Sequence, residues 1–300
     1  MIKLIIICGA TAVGKTDFSI KIAKRIDAEI INADASQFKR YLNIGTAKIS
    51  EEEMDGIKHH LIDIIDPCDD FSISDYQSLA RLKIDEIHKE NKNIIICGGS
   101  GLYIDALVND YHLNADKSNH KLDEELYNQY SNEELYKLLE SLDKDLATLT
   151  HPNNRNRVLR YMERAKCGDS IKNDNKALYD CMYLFLNRDR KDLYNRINQR
   201  TILMLENGWI DECLDLRNKG FDLSKIKEIG YKEIGDYLDN IISYDELVDL
   251  IQKETRHYAK RQITWFKNKT IHQLIDVNNY DIEDIIERIN IFLKGEENEK

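Results

Sequence analysis

The chain has 300 residues, of which 42% are hydrophobic and 32% charged, enough for one large domain with an insertion or for two domains. This composition is hydrophobic enough to exclude an intrinsically disordered chain. Apolar runs such as Leu4–Cys8 are far shorter than the roughly 20 residues of a membrane span. The net charge of −11 argues against a protein that coats nucleic acid nonspecifically. The six scattered cysteines form no C-x-x-C pair, so we expect reduced, buried thiols in a cytoplasmic protein without a signal peptide.

In chain order, strands and helices alternate over the first third of the sequence. Strands are predicted at Lys3–Cys8, Ala28–Asn32 and Asn93–Cys97. Helices are predicted at Lys15–Ile26, at Ser72–Asn91 and after Gly101. This alternation is typical of the α/β class, with a parallel sheet flanked by helices.

The pattern changes after about residue 110, where no convincing strand is found until Cys181–Asn187. Ser131 and Glu134 form a capping box before one helix, and Arg155–Cys167 reads as another. We therefore predict an all-helical insertion domain over residues 110–180. Residues 1–109 and 181–295 are predicted to form the core domain, whose last part is mostly helical and includes a long helix ending near Lys267. The last residues are expected to fray.

The segment GATAVGKT at residues 9–16 matches G-x-x-x-x-G-K-[ST] and lies between a predicted strand and a predicted helix. Backbone N–H groups of such a loop and the helix N-terminus attract phosphates. Lys15 would hold the outer phosphate and Thr16 would ligate Mg²⁺. The predicted phosphate cradle consists of Gly9, Ala10, Thr11, Ala12, Val13, Gly14, Lys15 and Thr16.

The third strand runs into Gly98-Gly99-Ser100-Gly101 without an acidic residue. A motor or switch NTPase normally places an aspartate there for the Mg²⁺ shell, so this feature disfavours an ATPase but allows a small-molecule kinase.

Asp34 follows the second strand, at the edge of a parallel sheet where ligands bind. A carboxylate near phosphates either joins a metal shell or accepts a proton, although an ordinary loop aspartate is the alternative. The same loop adds the polar and cationic side chains of Gln37, Thr46 and Lys48.

Two clusters of cations stand out against the acidic whole. Residues 151–166 contain Arg155, Arg157, Arg160, Arg164 and Lys166 with the single acid Glu163. Residues 253–269 contain Lys253, Arg256, Lys260, Arg261, Lys267 and Lys269 with the single acid Glu254. Helical spacing places several members of each cluster on one face, which indicates either a solvated face or phosphodiester binding.

His59 and His60 are adjacent in a predicted strand, so their side chains point to opposite faces. This favours a structural or positioning role over a zinc site.

Seven ordered motifs make the chain resemble the tRNA dimethylallyltransferase (IPP transferase) family. They are Gly9–Thr16, Asp34–Lys48, His59–Asp63 with Asp66-Pro67, Gly98–Tyr103, His151–Asn153 with Arg157, Ile229–Glu233 and Ala259–Phe266. Ala35 and Phe38 stand where the family has serine and tyrosine. The chain ends without Cys/His pairs, so the resemblance is to the bacterial form without a zinc finger.

The resemblance implies a P-loop NTPase-like fold and transfer of a dimethylallyl group from dimethylallyl diphosphate to N6 of an adenosine 3′ of the anticodon. The implied catalytic residues are Asp34, Lys15, Thr16 and Thr11, with Mg²⁺ on Thr16. The implied tRNA-binding residues are Asp34, Ala35, Ser36, Gln37, Ser100, Asn156, Arg157, Val158, Leu159, Arg160, Lys232, Arg256, Lys260 and Arg261. The late helix has a basic stripe formed by Lys253, Arg256, Lys260 and Lys267. Arg261 is off this stripe, about a hundred degrees around the helix from Lys260, and is a candidate to face the catalytic channel.

The implied partners are dimethylallyl diphosphate and the tRNA anticodon stem-loop, held between the insertion and the late basic helix, with no membrane and no obligate protein partner. The loop motif invites the keyword ATP-binding, but ATP is not an expected substrate. Two other hypotheses remain from the residues alone. One is a P-loop small-molecule kinase, which leaves the basic insertion unexplained, and the other is a nucleotide-gated binding module, which leaves Asp34 without a role.

Overall fold

The computed structural model describes residues 1–111, 124–166, 173–267 and 272–295. The strands are β1 (Lys3–Gly9), β2 (Ala28–Asn32), β3 (His59–His60), β4 (Asn93–Gly98), β5 (Asn109–Tyr111), β6 (Asn173–Ala177), β7 (Asp180–Asn187) and β8 (His272–Asp276). The first helices are α1 (Lys15–Ile26), α2 (Glu51–Met54), α3 (Ile73–Lys89), α4 (Gly101–Val108), α5 (Glu124–Tyr127), α6 (Asn132–Leu142), α7 (Lys144–Thr148) and α8 (Arg155–Lys166). The later helices are α9 (Arg190–Glu206), α10 (Trp209–Asn218), α11 (Tyr231–Leu238), α12 (Tyr244–Lys267) and α13 (Ile282–Lys294), with 3₁₀ turns at Ala35–Phe38 and Leu223–Lys225.

Six strands form one parallel sheet in the order β3-β2-β4-β1-β7-β8. This confirms the predicted α/β class with a parallel sheet flanked by helices. The central strand β1 pairs with β4 and β7, and Ile5 lies opposite Ile95. Because successive strand residues point to opposite faces, Ile5 and Ile7 enter one core while Leu4 and Ile6 enter the other. Burial on both faces explains why this strand is apolar throughout.

A separate core is formed by the helices that follow β7. Trp209, Tyr231 and Leu247 belong to it and are almost fully buried. The loop that follows the first 3₁₀ turn packs onto the same cluster through Leu42 and Ile44. The part of the chain after β7 therefore supports a loop that lies early in the sequence.

The chain divides into two compact units, one formed by Met1–Asn109 with Ala177–Lys300 and the other by Asp110–Lys176. The second unit has its own core, which includes Leu135, Leu139, Val158 and Met162. The expectation of an all-helical insertion is wrong, because β5 and β6 form a two-stranded sheet. Neither strand shows an apolar alternation, so the pattern of the sequence gave no signal for them.

Two elements near the end were also not predicted individually, namely the parallel strand β8 and the helix α13. Cys68 is exposed, which contradicts the expectation that all cysteines are buried, whereas Cys8 and Cys213 are buried. The predicted helix end at Cys167 and Gly168, the cation Lys269 and the terminal residues 296–300 lie outside the described residues. Within the part of the chain that the structure describes, no helix is both long and apolar enough to cross a membrane.

Candidate active site

The phosphate-loop motif connects β1 to α1 as the sequence predicts. Gly14 adopts a left-handed conformation with φ 111° at the helix N-terminus and offers no side chain to cap it, so the first N–H groups of α1 face the loop. Lys15 Nζ donates to the carbonyl oxygens of Gly9 at 3.1 Å and Ala10 at 2.9 Å. Burial lowers the pKa of Lys15, while the charge of Asp34 raises it. The ammonium group of Lys15 is therefore partly desolvated and is held next to the backbone of the loop. This arrangement suits a phosphate.

Asp34 stands where β2 ends, and it caps the 3₁₀ turn Ala35–Phe38. Its Oδ1 accepts from the Ser36 amide at 3.2 Å and from the Ser36 hydroxyl at 2.7 Å. Its own amide donates to Asn32 Oδ1 at 2.9 Å. These bonds fix the carboxylate at the edge of the sheet. The alternative of an ordinary capping aspartate is thus true in part, because the same group both caps a turn and faces the cleft described next.

A cleft of about 400 Å³, its open mouth included, runs along this edge of the sheet. Its lining includes the phosphate-loop residues Lys15 and Thr16 and, from other elements, Asp34, Gln37, His59 and Cys97. Burial raises the pKa of the Cys97 thiol even though Lys15 lies close by, so Cys97 is not an activated nucleophile. The cleft therefore contains a carboxylate together with the lysine and the threonine of the phosphate-loop motif.

Two residues of the later helix α9, which the sequence analysis missed, reach the phosphate loop. Arg200 of α9 donates from Nη2 to Thr11 Oγ1 at 2.6 Å, and burial lowers its pKa while Asp34 raises it. Arg196, one turn earlier, donates from Nε to the Ala12 carbonyl at 3.1 Å. A guanidinium group remains charged in proteins, so Arg200 adds a second cation beside Lys15.

Gln262 of α12 is a third residue to which the sequence analysis assigned no role, and it joins the phosphate loop to the turn after β4. It accepts from the Thr11 amide at 2.8 Å and donates to the Gly99 carbonyl at 3.0 Å. A Cβ atom on Gly99 would lie 2.1 Å from Gln262 Nε2, so only glycine allows this approach. The glycine-rich turn after β4 contains no strand-end aspartate, and it is therefore a surface on which α12 packs. Tyr258 of the same helix lies near Asp34, and burial of the phenol, together with the charge of Asp34, raises the pKa of Tyr258.

The predicted metal ligand, Thr16, is exposed at the start of α1 and lines the cleft. Among the residues that the structure describes, no group of three or more His, Cys, Asp or Glu side chains could hold a metal ion. A hydroxyl at a helix N-terminus and a nearby carboxylate are hard oxygen donors. They fit a divalent cation that takes most of its ligands from a bound diphosphate and water.

Four predicted tRNA-binding residues besides Asp34 lie in the first unit close to the cleft. Ser100 Oγ accepts from the Ala35 amide at 3.2 Å, and Ser36 and Gln37 belong to the 3₁₀ turn that Asp34 caps. The predicted cations Lys232, Lys260 and Arg261 are exposed. The guanidinium of Arg261 lies 5.8 Å from the centre of the Tyr258 ring.

Arg256 differs from the other cations of α12, because it is half-buried and donates from Nη1 to Asn198 Oδ1 at 2.6 Å. Its charge is therefore used in part to join α12 to α9.

The remaining predicted tRNA-binding residues lie on α8 in the second unit. Asn156, Arg157 and Arg160 are exposed, and Arg157 Nε donates to Tyr161 Oη at 3.0 Å. The side chains of Val158 and Leu159 are 0% and 8% exposed in the core of this unit, which leaves only their backbone groups for the predicted RNA contact. Helical periodicity accounts for this burial, since a contiguous segment of a helix always includes its buried face.

The adjacent histidines diverge as expected. His60 Nε2 lies 2.7 Å from the buried carboxylate of Glu29, whereas His59 Nδ1 lies 2.9 Å from the Ile57 carbonyl. His59 lines the cleft, and burial lowers its pKa. These partners give both rings positioning contacts within the protein.

The fold and this site define a P-loop protein whose cleft contains a carboxylate at the end of the neighbouring strand. The family model described as IPP transferase matches residues 37–269. The chain is 40% identical to a tRNA dimethylallyltransferase of Clostridioides difficile over 98% of both chains. This chain belongs to the IPP transferase family.

Solved structures of similar proteins agree with this membership. A full-length tRNA isopentenylpyrophosphate transferase of Bacillus halodurans is 39% identical, with a TM-score of 0.74 over 98% of this chain and 96% of its own. A eukaryotic dimethylallyltransferase acting on tRNA is 25% identical, with a TM-score of 0.84 over all of this chain and 81% of its own.

Proposed function

We propose that this chain is a tRNA dimethylallyltransferase, which transfers the dimethylallyl group of dimethylallyl diphosphate to N6 of an adenosine 3′ of the anticodon. The observation that carries the proposal is that Asp34 lines the same cleft as Lys15 and Thr16. Lys15 and Thr16 suit a leaving diphosphate, and Asp34 suits the role of proton acceptor. The names of the relatives identify the acceptor as tRNA.

In this reaction the bond between C1 of the dimethylallyl group and the diphosphate oxygen breaks while a bond to N6 forms. Charge develops on the departing diphosphate. The phosphate loop, Lys15 and Arg200 stabilise that charge through N–H donors and cations that are already in place. Thr11 is held by Arg200 through its hydroxyl and by Gln262 through its amide, which fixes the hydroxyl beside the cation proposed to bind the diphosphate.

Asp34 accepts the proton that N6 loses. An aromatic amine is a weak nucleophile, so a carboxylate that hydrogen-bonds its N–H helps the attack. The two bonds from Ser36 fix the orientation of this carboxylate before the substrate arrives. All atoms of the reaction are accounted for, because the adenine gains the C5 group, Asp34 takes the proton and diphosphate leaves.

Mg²⁺ is the proposed divalent cation, with the Thr16 hydroxyl as its protein ligand. When bound, it would neutralise part of the charge of the diphosphate. The chain itself contributes the helix N-terminus and the two cations that hold the phosphates.

The RNA contacts proposed for the first unit are Ala35, Ser36, Gln37, Ser100, Lys232, Arg256, Lys260 and Arg261, and those for the second unit are Asn156, Arg157 and Arg160. A target base in a loop can leave its stack at a cost of a few kcal/mol, which allows it to enter the cleft. We also propose that the protein acts in the cytoplasm and without an obligate protein partner.

A direct assay separates this function from that of a small-molecule kinase. The protein is incubated with Mg²⁺, labelled dimethylallyl diphosphate and tRNA, and in parallel with labelled ATP and small hydroxyl acceptors. Transfer of label to tRNA is expected only in the first reaction. Phosphorylation of a small acceptor without any prenylation of tRNA would contradict the proposal.

A further inference from the structure

One carboxylate on α10 accepts four hydrogen bonds, three of them from consecutive amides of a loop far away in the sequence. Glu212 Oε2 lies 2.7 Å from the amide nitrogens of both Asn43 and Ile44, and Oε1 lies 3.2 Å from that of Gly45. The hydroxyl of Tyr231 donates to Oε1 at 2.7 Å. Hydrogen bonds to an ionised acceptor are about twice as strong as neutral ones. Glu212 therefore holds this loop firmly.

Residues 43–49, here called the clamped loop, are also shaped to fit α10. A Cβ atom on Gly45 would lie 2.2 Å from Trp209 Nε1, so the loop backbone packs directly on the indole. Ala47 has a left-handed backbone with φ 48°, and its amide donates to the Ile44 carbonyl at 2.9 Å. A left-handed conformation is costly for alanine and persists only where the surroundings hold it.

The clamped loop reaches the cleft at two points. Gln37 Nε2 donates to the Ala47 carbonyl at 3.3 Å, and Gln37 lines the cleft with Asp34. Ile49, at the end of the loop, is 8% exposed and lines the cleft as well. A shift of the loop would therefore move one wall of the cleft. The diphosphate side is built separately, since Lys15 bonds to the phosphate loop and Arg200 to Thr11.

We infer that Glu212 is a positioning residue for the wall of the cleft that receives the RNA base, acting through the clamped loop and Gln37. The inference rests on the proposed function, because it assigns the tRNA side of the cleft to this wall. It predicts different effects on the two substrates, since the four hydrogen bonds of Glu212 go to residues 43–45 and Tyr231 and none goes to the phosphate loop.

The test compares steady-state constants for both substrates in Glu212→Gln and in the unaltered protein. The amide group keeps the shape of the side chain but replaces one acceptor oxygen by a donor, so at least one loop amide loses its bond. We expect KM for tRNA to rise about tenfold, because at least one loop amide loses a charge-assisted hydrogen bond and the wall of the cleft that receives the RNA is no longer held in place. KM for dimethylallyl diphosphate should change by less than about twofold.

Glu246→Gln is the matched control, because Glu246 also accepts backbone and hydroxyl hydrogen bonds, from Ser243 at the start of α12. It should leave both KM values unchanged. Amide hydrogen exchange gives a readout independent of activity, since the amides of residues 43–45 should lose protection in Glu212→Gln and keep it in the control. If the unaltered protein transferred nothing, the proposed function would fail, while the exchange result would still show whether Glu212 holds the loop.

Two outcomes overturn the inference. One is lost protection of the loop with an unchanged KM for tRNA, and the other is an equal rise in both KM values. Should Glu212→Gln not fold, Tyr231→Phe removes one of the four bonds from the same carboxylate. It should raise KM for tRNA in the same direction by a smaller factor, and an unchanged value would again contradict the inference.

Discussion

Asp34 caps a 3₁₀ turn and is proposed to accept a proton, and a single substitution separates these two roles. In Asp34→Asn the side-chain oxygen can still accept from the Ser36 amide, so the 3₁₀ turn should persist. An amide cannot accept the proton from N6, so turnover should fall by ~10²–10⁴. Affinity for tRNA should change by less than about twofold, since this contact is one among many. Single-turnover rates and filter binding measure the two effects, and a near-normal rate would remove Asp34 from its proposed role.

Lys15 and Thr16 face the phosphate side of the cleft, so their loss should leave RNA binding intact. Lys15→Ala removes a preorganised cation, and such losses cost about 10²–10³ in rate. Thr16→Ala should raise the Mg²⁺ concentration needed for half-maximal activity, because the metal loses its proposed protein ligand. Gel-shift affinity for tRNA serves as the control measurement. If that affinity fell as steeply as activity, the loop would have a structural role instead.

Arg200 is predicted to bind the diphosphate through its planar fork. Arg200→Lys keeps a positive charge but loses the second donor, since one nitrogen already donates to Thr11. KM for dimethylallyl diphosphate should rise about tenfold, which corresponds to one charge-assisted hydrogen bond. Arg217→Lys is a suitable control, because Arg217 pairs with Asp239. An unchanged KM in Arg200→Lys would show that Arg200 only supports Thr11.

At the scale of single residues, sequence analysis identifies those candidate site residues that belong to a short local motif. Lys15, Thr16 and Asp34 come from short segments whose spacing carries the chemistry. Arg200 and Gln262 meet Thr11 across 189 and 251 residues of sequence. No local pattern marks Arg200, and the motif Ala259–Phe266 contains Gln262 without indicating that it contacts the phosphate loop. One signal could have suggested Arg200, because α9 follows a strand of the same parallel sheet and so starts near the edge where ligands bind.

At the scale of elements, α12 has a buried face that contacts the phosphate loop and an exposed face that carries lysines. Its buried Gln262 holds the phosphate loop, while Lys253, Lys260 and Lys267 are exposed. We predict that these three lysines contact RNA phosphates. Each contact releases condensed counterion, so replacing one lysine by glutamine should reduce the slope of log K against log salt by about 0.7–0.9. Affinity should weaken similarly for all tRNAs, because phosphates carry no sequence information.

Two arginines of the same helix serve as internal comparisons in that series. Arg256→Gln should reduce the slope less than the lysine variants do, since Arg256 already donates to Asn198. Arg261→Gln should lower turnover more than the slope if it faces the catalytic channel. Unchanged slopes for all three lysine variants would mean that α12 presents only a solvated face.

The strength of the local pattern decides which elements a sequence can predict. Strand β1 is apolar throughout and β7 is largely so, and α1 begins after a glycine and shows regular apolar spacing, so each was predicted within about two residues. Strands β5 and β6 consist mainly of polar residues, and β3 has only two residues. Their pairing depends on neighbouring segments that are distant in sequence, which a local pattern does not contain.

At the scale of the whole molecule, an acidic protein carries its cations where an anionic partner is proposed to bind. The net charge is −11, yet Lys15, Arg200 and Arg196 gather at the phosphate loop. General attraction to RNA is therefore weak, and binding depends on localised contacts. The fold class followed from the alternation of strands and helices. The wall of the cleft held by Glu212 could not be predicted from that alternation. Glu212 of α10 bonds to Ile44 in an early loop, and the two residues are 168 positions apart in the sequence.

The most direct measurement is mass spectrometry of nucleosides from tRNA that has been incubated with the protein, Mg²⁺ and dimethylallyl diphosphate. We predict that one adenosine 3′ of the anticodon gains a C5H8 unit on N6, with release of one diphosphate. The same tRNA with guanosine at that position is the control and should gain nothing. Unmodified adenosine in the first tRNA, or a C5H8 unit on the control tRNA, would contradict the proposed transfer.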